Sequence, residues 1–178
     1  MKVLFNAREI QRAVADLVGK IVSDTRAHPD IAVIGIRSRG EILAQRLSAH
    51  LSQKLDKEVP CGTLDITLYR DDLNSPQGNA QPQVRTTEIG FDIDDKVIIL
   101  VDDVLYTGRS TRAAMDALID LGRPRAIKLA VLVDRGGREL PIQPDYVGMD
   151  IPVKANEHVY VRLAEKSGAD EIVLVARD

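Results

Sequence analysis

The sequence has one cysteine, Cys61, only three histidines and no apolar run that approaches the length of a membrane span. A single cysteine excludes an internal disulfide and a cysteine-built metal site, and no histidine stands at ligand spacing from another. The apolar run at the N-terminus breaks after three residues, too early for a secretory signal peptide. We therefore predict a cytoplasmic protein with no membrane partner and no metal site of its own.

Two glycine signatures of nucleotide-binding proteins are also missing. Neither the G-x-G-x-x-G fingerprint of dinucleotide sites nor the G-x-x-x-x-G-K-[ST] cradle of nucleoside triphosphatases occurs. The net charge of −3 provides no global attraction to nucleic acid. The 178 residues, 44% of them hydrophobic, suffice for one compact domain and are too few for two ordinary ones. We predict a single domain over residues 1–178.

Short apolar runs alternate with amphipathic stretches, the pattern of parallel strands joined by crossover helices. The predicted strands are 31–36, 62–70, 97–101, 126–134 and 171–176, and the predicted helices are 8–26, 41–55 and 109–121, the last ending before Gly122. Two of the strands are apolar at every position, as strands covered on both faces are. The predicted fold class is therefore α/β, with an open, mostly parallel twisted sheet and helices on both faces.

Two carboxylates, Asp102 and Asp103, follow the strand 97–101 and precede a turn that opens a helix. Ligands of an open parallel sheet bind at the carboxyl ends of its strands, and a helix N-terminus attracts phosphate. Two carboxylates would repel a phosphate bound directly beside them. A ribose 5-phosphate resolves this conflict, because its phosphate and its hydroxyl groups can bind at different places. The turn 107–111 would then hold the phosphate, while the carboxylates accept the ribose hydroxyls and stabilise positive charge at C1.

The segment 71–90 has no periodicity of either kind and contains Pro76, Gly78 and Pro82. A connection of this length inside a compact domain is either a working lid or a disordered stretch. We favour the lid. Cys61, by contrast, is predicted to be a small buried residue rather than a nucleophile.

Four blocks of the sequence carry a resemblance to known proteins. A strand ending in two acids and followed by "VLYTGRST" resembles the phosphoribosyl pyrophosphate (PRPP) motif of type I phosphoribosyltransferases. More narrowly, four blocks resemble the PyrR family, over nearly the whole chain: "DITLYRDDL" at 65–73, "VDDVLYTGR" at 101–109, "MDAL" and "DLGRP" at 115–124, and "LAVLVDRGGRELPI" at 129–142. The resemblance implies a type I fold with a flexible lid at 71–90 and a small hood at 134–153 over the base site.

The resemblance also implies a reaction, in which uracil and PRPP give UMP and pyrophosphate with Mg²⁺ bound mainly through PRPP. The implied catalytic residues are Asp102, Asp103 and Arg70, the last as a cation for the leaving group. The implied PRPP-binding residues are Val104, Leu105, Tyr106, Thr107, Gly108, Arg109, Ser110 and Thr111, and the implied pyrophosphate-binding residues are Ser38, Arg39 and Gly40. The implied base-binding residues of the hood are Val133, Asp134, Arg135 and Arg138. The two hood arginines have an alternative role as surface ion-pair partners of Asp134, Glu139 or Asp145.

The family further implies a homodimer or larger homo-oligomer, and a second function as an attenuator that binds pyrimidine (pyr) operon leader mRNA under UMP control. This sequence departs from the family where RNA is concerned. Residues 16–19 stand where relatives carry a basic R-I-A-H run, and Gln143 and Met149 replace an arginine and a lysine. Each lost cation removes a phosphate contact. A separate departure, in the hood, is Gly137, where the family usually has histidine. Three hypotheses stay open: a uracil transferase, a bifunctional attenuator, and a transferase for another base or an inactive nucleotide sensor.

Overall fold

The computed structural model describes residues 1–28, 30–69, 87–154 and 156–176. The predictions for Arg70 and for residues 71–86 of the lid lie outside this part of the chain. Within the described ranges, no helix combines the length and the apolar character that crossing a membrane requires.

The main sheet is parallel, and its five strands stand in the order β3-β2-β4-β5-β6. A separate antiparallel sheet has the order β1-β8-β7. The strands are β1 (Lys2–Phe5), β2 (Ile31–Ile36), β3 (Cys61–Leu64), β4 (Val97–Leu105), β5 (Ala126–Asp134), β6 (Tyr146–Asp150), β7 (Glu157–Arg162) and β8 (Glu171–Ala176). The helices are α1 (Ala7–Thr25), α2 (Arg39–Leu55), α3 (Arg109–Leu121) and α4 (Ala164–Ser167), and a 3₁₀ turn covers Thr67–Tyr69.

Helices cover both faces of the main sheet, which confirms the predicted fold class. Alternate residues of a strand point to opposite faces, so Ile99 and Val101 of β4 pack toward α1 and α2, whereas Ile98 and Leu100 pack toward α3. The antiparallel sheet packs against the α1 and α2 side through residues such as Ile172. Strand β2 is buried at every position, and β4 is buried from Val97 to Val101, because both faces of these strands are covered.

The start of α1 shows why the first long helix begins where it does. The Asn6 side chain accepts hydrogen bonds from the N–H groups of Arg8 and Glu9, and the Glu9 carboxylate accepts one from the Asn6 N–H. This capping box satisfies N–H groups that have no partner inside the helix. Residues such as Ile10 and Leu17 then repeat at helical spacing and are buried.

Three sequence predictions need correction. The strand predicted over 62–70 ends at Leu64, because the Asp65 carboxylate accepts hydrogen bonds from the N–H and hydroxyl of Thr67 and turns the chain. The strand at 171–176 exists but joins the antiparallel sheet with β1, which the sequence reading did not identify. Cys61 is exposed rather than buried, because it is the first residue of the edge strand β3.

Candidate active site

Asp102 and Asp103 lie at the carboxyl end of β4, where the sequence places them. The strand is longer than predicted and continues to Leu105, because it still pairs with β5 there, with Asp102 opposite Val131. The N–H of Asp103 donates to Asp102 Oδ1 over 2.9 Å. Burial and the adjacent Asp103 carboxylate raise the pKa of Asp102 well above its usual value.

The turn that follows β4 is shaped by Gly108, which has a φ of +90°. A Cβ at this position would lie 2.9 Å from Ile142 Cγ1, so the turn needs glycine for its backbone conformation and for space. The Thr107 carbonyl accepts hydrogen bonds from the N–H groups of Glu139 (3.0 Å) and Leu140 (3.2 Å). These bonds hold the beginning of α3, whose first-turn N–H groups have no acceptor within the helix.

The loop that joins β2 to α2 approaches the same end of β4. Its Arg37–Ser38 peptide bond is cis. A Cβ on Gly40 would lie 2.5 Å from the Val101 carbonyl oxygen, so glycine here lets the loop contact β4. As a result Arg39 Nη1 lies 4.0 Å from Asp103 Oδ2.

A cavity of about 290 Å³ separates this loop from the end of β4. Its lining includes the predicted residues Ser38, Arg39, Asp102, Asp103, Val104 and Ser110. The lining does not include the other residues predicted to bind phosphate or pyrophosphate, namely Gly40, Leu105, Tyr106, Thr107, Gly108, Arg109 and Thr111. Of these, Leu105 and Thr111 are buried. A larger, open groove of about 900 Å³ lies between α1 and the beginnings of β5 and β6, away from the carboxyl ends of the strands. Its two lysines lie within 4 Å of aspartates, so it presents no comparable set of groups.

The cavity also contains three polar residues that the sequence reading did not assign, namely Arg37, Asp65 and Thr67. Asp65 directly follows β3, so the same rule that placed Asp102 at the carboxyl end of a strand would have found it. The Arg37 guanidinium lies 3.7 Å from the Glu41 carboxylate and 3.4 Å from that of Glu88. Because Glu88 forms a bridge to Thr63, the last residues of the predicted lid are attached beside β3.

Two of the predicted base-binding residues, Val133 and Asp134, end β5, and the other two, Arg135 and Arg138, follow it and contact Tyr106. The Arg135 side chain is buried, with its guanidinium carbon 3.8 Å from the centroid of the Tyr106 ring. Gly137 lies against the same ring, since a Cβ there would be 2.5 Å from Tyr106 Cε2. Gly137 has a φ of +81°, a backbone conformation that also favours glycine.

Arg138 forms the ion pair that the alternative reading describes, with Asp134 as its partner. Burial tends to raise the pKa of Asp134, but its bonds with Arg138 and with the Gly136 N–H outweigh burial and lower that pKa. The Asp134 carbonyl accepts from the Ile151 N–H, and the Arg135 N–H donates to the Leu105 carbonyl. These two main-chain groups already have hydrogen-bond partners, so recognition of a base by this segment would depend on its other polar groups. Residues 146–150 of the predicted hood form β6, an edge strand of the main sheet.

Comparison with known proteins identifies the class. The family model described as a phosphoribosyl transferase domain matches residues 2–166. A solved hypoxanthine phosphoribosyltransferase of Trypanosoma cruzi covers 100% of this chain and 98% of its own length with a TM-score of 0.75 at 19% identity, which shows a shared fold. A hypoxanthine-guanine phosphoribosyltransferase of Bacillus anthracis gives a TM-score of 0.67 at 21% identity over 86% of this chain and 85% of its own. The chain belongs to the phosphoribosyltransferase family.

More similar sequences define the branch of that family. A protein of Limosilactobacillus fermentum named bifunctional protein PyrR is 48% identical over 98% of this chain and 97% of its own length. The protein of the same name from Thermus aquaticus is 53% identical over 96% of this chain and 93% of its own. Within the phosphoribosyltransferases, this chain is a member of the PyrR family, and the resemblance found in the sequence is confirmed.

Proposed function

We propose that this protein is a uracil phosphoribosyltransferase, which converts uracil and PRPP to UMP and pyrophosphate. The observation that carries the proposal is the meeting of Asp102 and Asp103 with Ser38 and Arg39 across one cavity. In that arrangement the carboxylates can bind ribose hydroxyls, and the neighbouring hydrogen-bond donors can bind pyrophosphate, which are the two parts of PRPP that react. Membership of the PyrR family supports uracil as the acceptor base.

In the proposed reaction the bond between C1 of the ribose and the pyrophosphate oxygen breaks, and its electron pair leaves with pyrophosphate. N1 of uracil forms the new bond to C1 and releases its proton. Positive charge builds at C1 as the bond breaks, and the carboxylate of Asp103 would stabilise it while accepting a ribose hydroxyl. The turn from Tyr106 to Ser110 would hold the 5-phosphate with main-chain N–H groups and hydroxyls.

The leaving pyrophosphate needs positive charge and N–H donors. Ser38, Arg39 and Gly40 begin α2, and the Ser38 side chain makes no capping hydrogen bond. The first-turn N–H groups of α2 would therefore serve the anion together with the Arg39 guanidinium. Arg70 and the lid, both proposed from the sequence, would add a second cation and exclude water from a centre that reacts with it readily.

The donor set of the cavity fits Mg²⁺ that arrives with PRPP. Asp102 and Asp103 provide the oxygen ligands that Mg²⁺ prefers, and this ion usually keeps few protein ligands beside substrate phosphates. Among the described residues, no group of three or more His, Cys, Asp or Glu is placed to hold a metal ion. When bound through PRPP, Mg²⁺ would neutralise charge on the pyrophosphate.

The test of this function is a rate comparison across bases. Purified protein with PRPP and Mg²⁺ is given uracil, hypoxanthine or orotate in parallel, and nucleotide and pyrophosphate are both quantified. We expect UMP and pyrophosphate in equal amounts, from uracil alone. Nucleotide formation from another base would identify that base as the substrate in place of uracil. Binding of PRPP without formation of any nucleotide would indicate a nucleotide sensor.

A second candidate function is RNA-binding attenuation, which the name of the relatives favours. Two of the departures from the basic positions of the family, Asp16 and Met149, line a single groove between α1 and β6, together with Arg12 and Glu9. Gln143 lines a different cavity. Lys20, a cation of that surface, lies 2.7 Å from the Asp16 carboxylate and donates to the Val147 carbonyl. These contacts disfavour a phosphate-binding surface there.

Filter binding to a pyr leader RNA, with UMP present and across a salt series, separates the two candidates. An enzyme alone gives weak binding that does not distinguish the leader from a scrambled RNA. Tight, UMP-dependent and salt-sensitive binding to the leader would establish the second function. The double variant Asp16→Arg and Met149→Lys is the matched control, which should raise affinity for any RNA.

We also propose that the protein assembles as a homodimer or larger homo-oligomer. Ile119 and Leu121, in the last turn of α3, are 63% and 55% exposed, and Leu68 of the 3₁₀ turn that contacts α3 is 72% exposed. Apolar side chains so exposed on neighbouring elements favour an interface. Light scattering on the eluting protein tests this, and a monomer at micromolar concentration would contradict it.

A further inference from the structure

Helix α4 touches the loop that is proposed to hold pyrophosphate. The Lys166 ammonium donates a hydrogen bond to the Ser38 carbonyl oxygen over 3.3 Å. Ser38 and Arg39 line the cavity, whereas Lys166 lies in the connection between β7 and β8 of the antiparallel sheet. The bond therefore joins the antiparallel sheet to the active-site loop of the parallel sheet.

Helix α2, which begins at this loop, also holds α4 in place. Arg46 of α2 binds the Glu165 carboxylate through Nε and Nη2, over 2.9 and 2.6 Å, and that of Asp170 through Nη1 and Nη2, over 2.7 and 2.9 Å. The Asp170 carboxylate also accepts the Ala164 N–H. Two planar, bidentate contacts define an orientation as well as a distance, so α2 holds Lys166 beside its own N-terminal loop.

The carbonyl that Lys166 binds is the group that would otherwise oppose an anion. A carbonyl oxygen facing pyrophosphate would repel it, and the bond to Lys166 keeps the Ser38 oxygen on the α4 side. The Ser38–Arg39 peptide is trans, so the Arg39 N–H points away from Lys166. The Arg39 N–H is therefore directed to the side of the loop that is opposite α4, and Arg39 is one of the residues that line the cavity.

Lys166 also adds positive charge near a cavity whose two arginines already lie close to carboxylates. Arg37 lies between the carboxylates of Glu41 and Glu88, and Arg39 faces Asp103. In the part of the chain that the structure describes, no carboxylate lies within 4 Å of the Lys166 ammonium. Its charge is therefore not cancelled by a direct ion pair.

We infer that Lys166 is a positioning residue for the pyrophosphate group, acting through the Ser38 carbonyl and through its charge. The inference rests on the proposed transferase function. It predicts that Lys166 contributes to binding PRPP and pyrophosphate, and contributes little to the chemical step or to binding of the base.

The test compares Lys166→Met with wild type in steady-state kinetics and in direct titration of pyrophosphate. We expect KM for PRPP and Kd for pyrophosphate to rise about threefold to fivefold, the size expected of one exposed charge, while kcat and KM for uracil stay within a factor of about two. Lys166→Arg should restore most of the affinity. The difference should shrink as salt is added, because exposed charges are screened.

A matched control separates this local role from a change of net charge. Lys54→Met removes one exposed cation from the last turn of α2. Lys54 is about 22 Å from Arg39 by the rise of an α-helix, so this variant should leave every kinetic and binding constant unchanged. If Lys166→Met also leaves KM for PRPP unchanged while wild type makes UMP, the inference is wrong and the function stands. If wild type makes no UMP and binds no pyrophosphate, the proposed function itself fails.

Discussion

The guanidinium carbon of Arg135 lies over the ring of Tyr106, 3.8 Å from its centroid, and the residue is 7% exposed. Among the described residues it has no carboxylate within 4 Å, and its Nε has no hydrogen-bond partner. A buried cation without an ion pair is costly unless another group stabilises it. The ring of Tyr106 supplies that stabilisation and in return is held beside the phosphate turn.

The stacking of Arg135 on Tyr106 should be measurable as a coupling energy. In a double-mutant cycle with Arg135→Met and Tyr106→Leu, we expect about 1 kcal/mol of coupling in the free energy of unfolding, as for a partly desolvated cation and ring. Urea unfolding of the four proteins provides the values. Additive effects would mean that the contact contributes nothing.

Gly137 should matter more than its neighbour Gly136, although both have a positive φ. Alanine at either site costs roughly 1 to 2 kcal/mol of backbone strain. At Gly137 the new Cβ also collides with the Tyr106 ring, while at Gly136 nothing lies within 4 Å of it. We expect Gly137→Ala to lower the free energy of unfolding by about 1 kcal/mol more than Gly136→Ala, through loss of the stacked ring.

The control for this prediction removes the ring. In a Tyr106→Ala background, the two glycine variants should have equal effects, because the collision no longer exists. Thermal unfolding of the six proteins is sufficient. A difference between the glycines that survives without Tyr106 would point to another cause.

Asp102 should make the folded protein less stable as pH rises. Its pKa is raised in the folded state, so between the usual aspartate value and the raised one the folded state binds more protons than the unfolded state. Stability from this group is present below the usual pKa and is lost as pH rises through the raised pKa. Asp102→Asn has no carboxylate to ionise, so we expect the variant to gain stability relative to wild type as pH rises above the usual aspartate value of about 4.

Urea unfolding of wild type and Asp102→Asn at increasing pH tests the sign. The difference in the free energy of unfolding should grow with pH and favour the variant. A difference that is constant with pH, or that favours wild type more strongly at high pH, would contradict the raised pKa.

Arg46 should stabilise the attachment of the antiparallel sheet. The Glu165 and Asp170 carboxylates have lowered pKa values, chiefly because of their hydrogen bonds to Arg46. This stabilisation is present above the usual carboxylate pKa and is lost as pH falls through the lowered values. We expect Arg46→Met to cost about 1 to 3 kcal/mol of unfolding free energy at pH 7, and progressively less as pH falls through the two lowered pKa values.

Arg162→Met is the comparison for Arg46, because Arg162 contacts one carboxylate, that of Glu171, where Arg46 contacts two. Its effect at neutral pH should be the smaller of the two. Equal losses for the two variants would mean that the second carboxylate adds nothing.

The layered fold could be predicted because its signals are local. Fully apolar strands such as 31–36 and amphipathic helices such as 109–121 reveal their environment through periodicity alone. The small sheet could not be predicted in the same way, since the pairing of β1 with β8 joins the two ends of the chain. The end of β3 was missed because one side chain, Asp65, redirects the backbone.

The candidate site divides along similar lines. Asp102 and Ser38 could be placed because each is near the carboxyl end of a strand, and parallel strands end at one edge. The role of Gly137 could not be read from sequence, because its reason is the ring of a residue 31 positions earlier, Tyr106. Lys166 was missed because its partner, Ser38, is 128 positions away.

The measurement that tests the central claim most directly is UMP formation by wild type and Asp103→Asn side by side. Asp56→Asn, which removes a carboxylate from the exposed C-terminal cap of α2, is the matched control. We predict that wild type and Asp56→Asn make UMP at the same rate, and that Asp103→Asn loses about 10²-fold in kcat while staying folded. Wild-type kcat in Asp103→Asn would contradict the role of this carboxylate in ribosyl transfer.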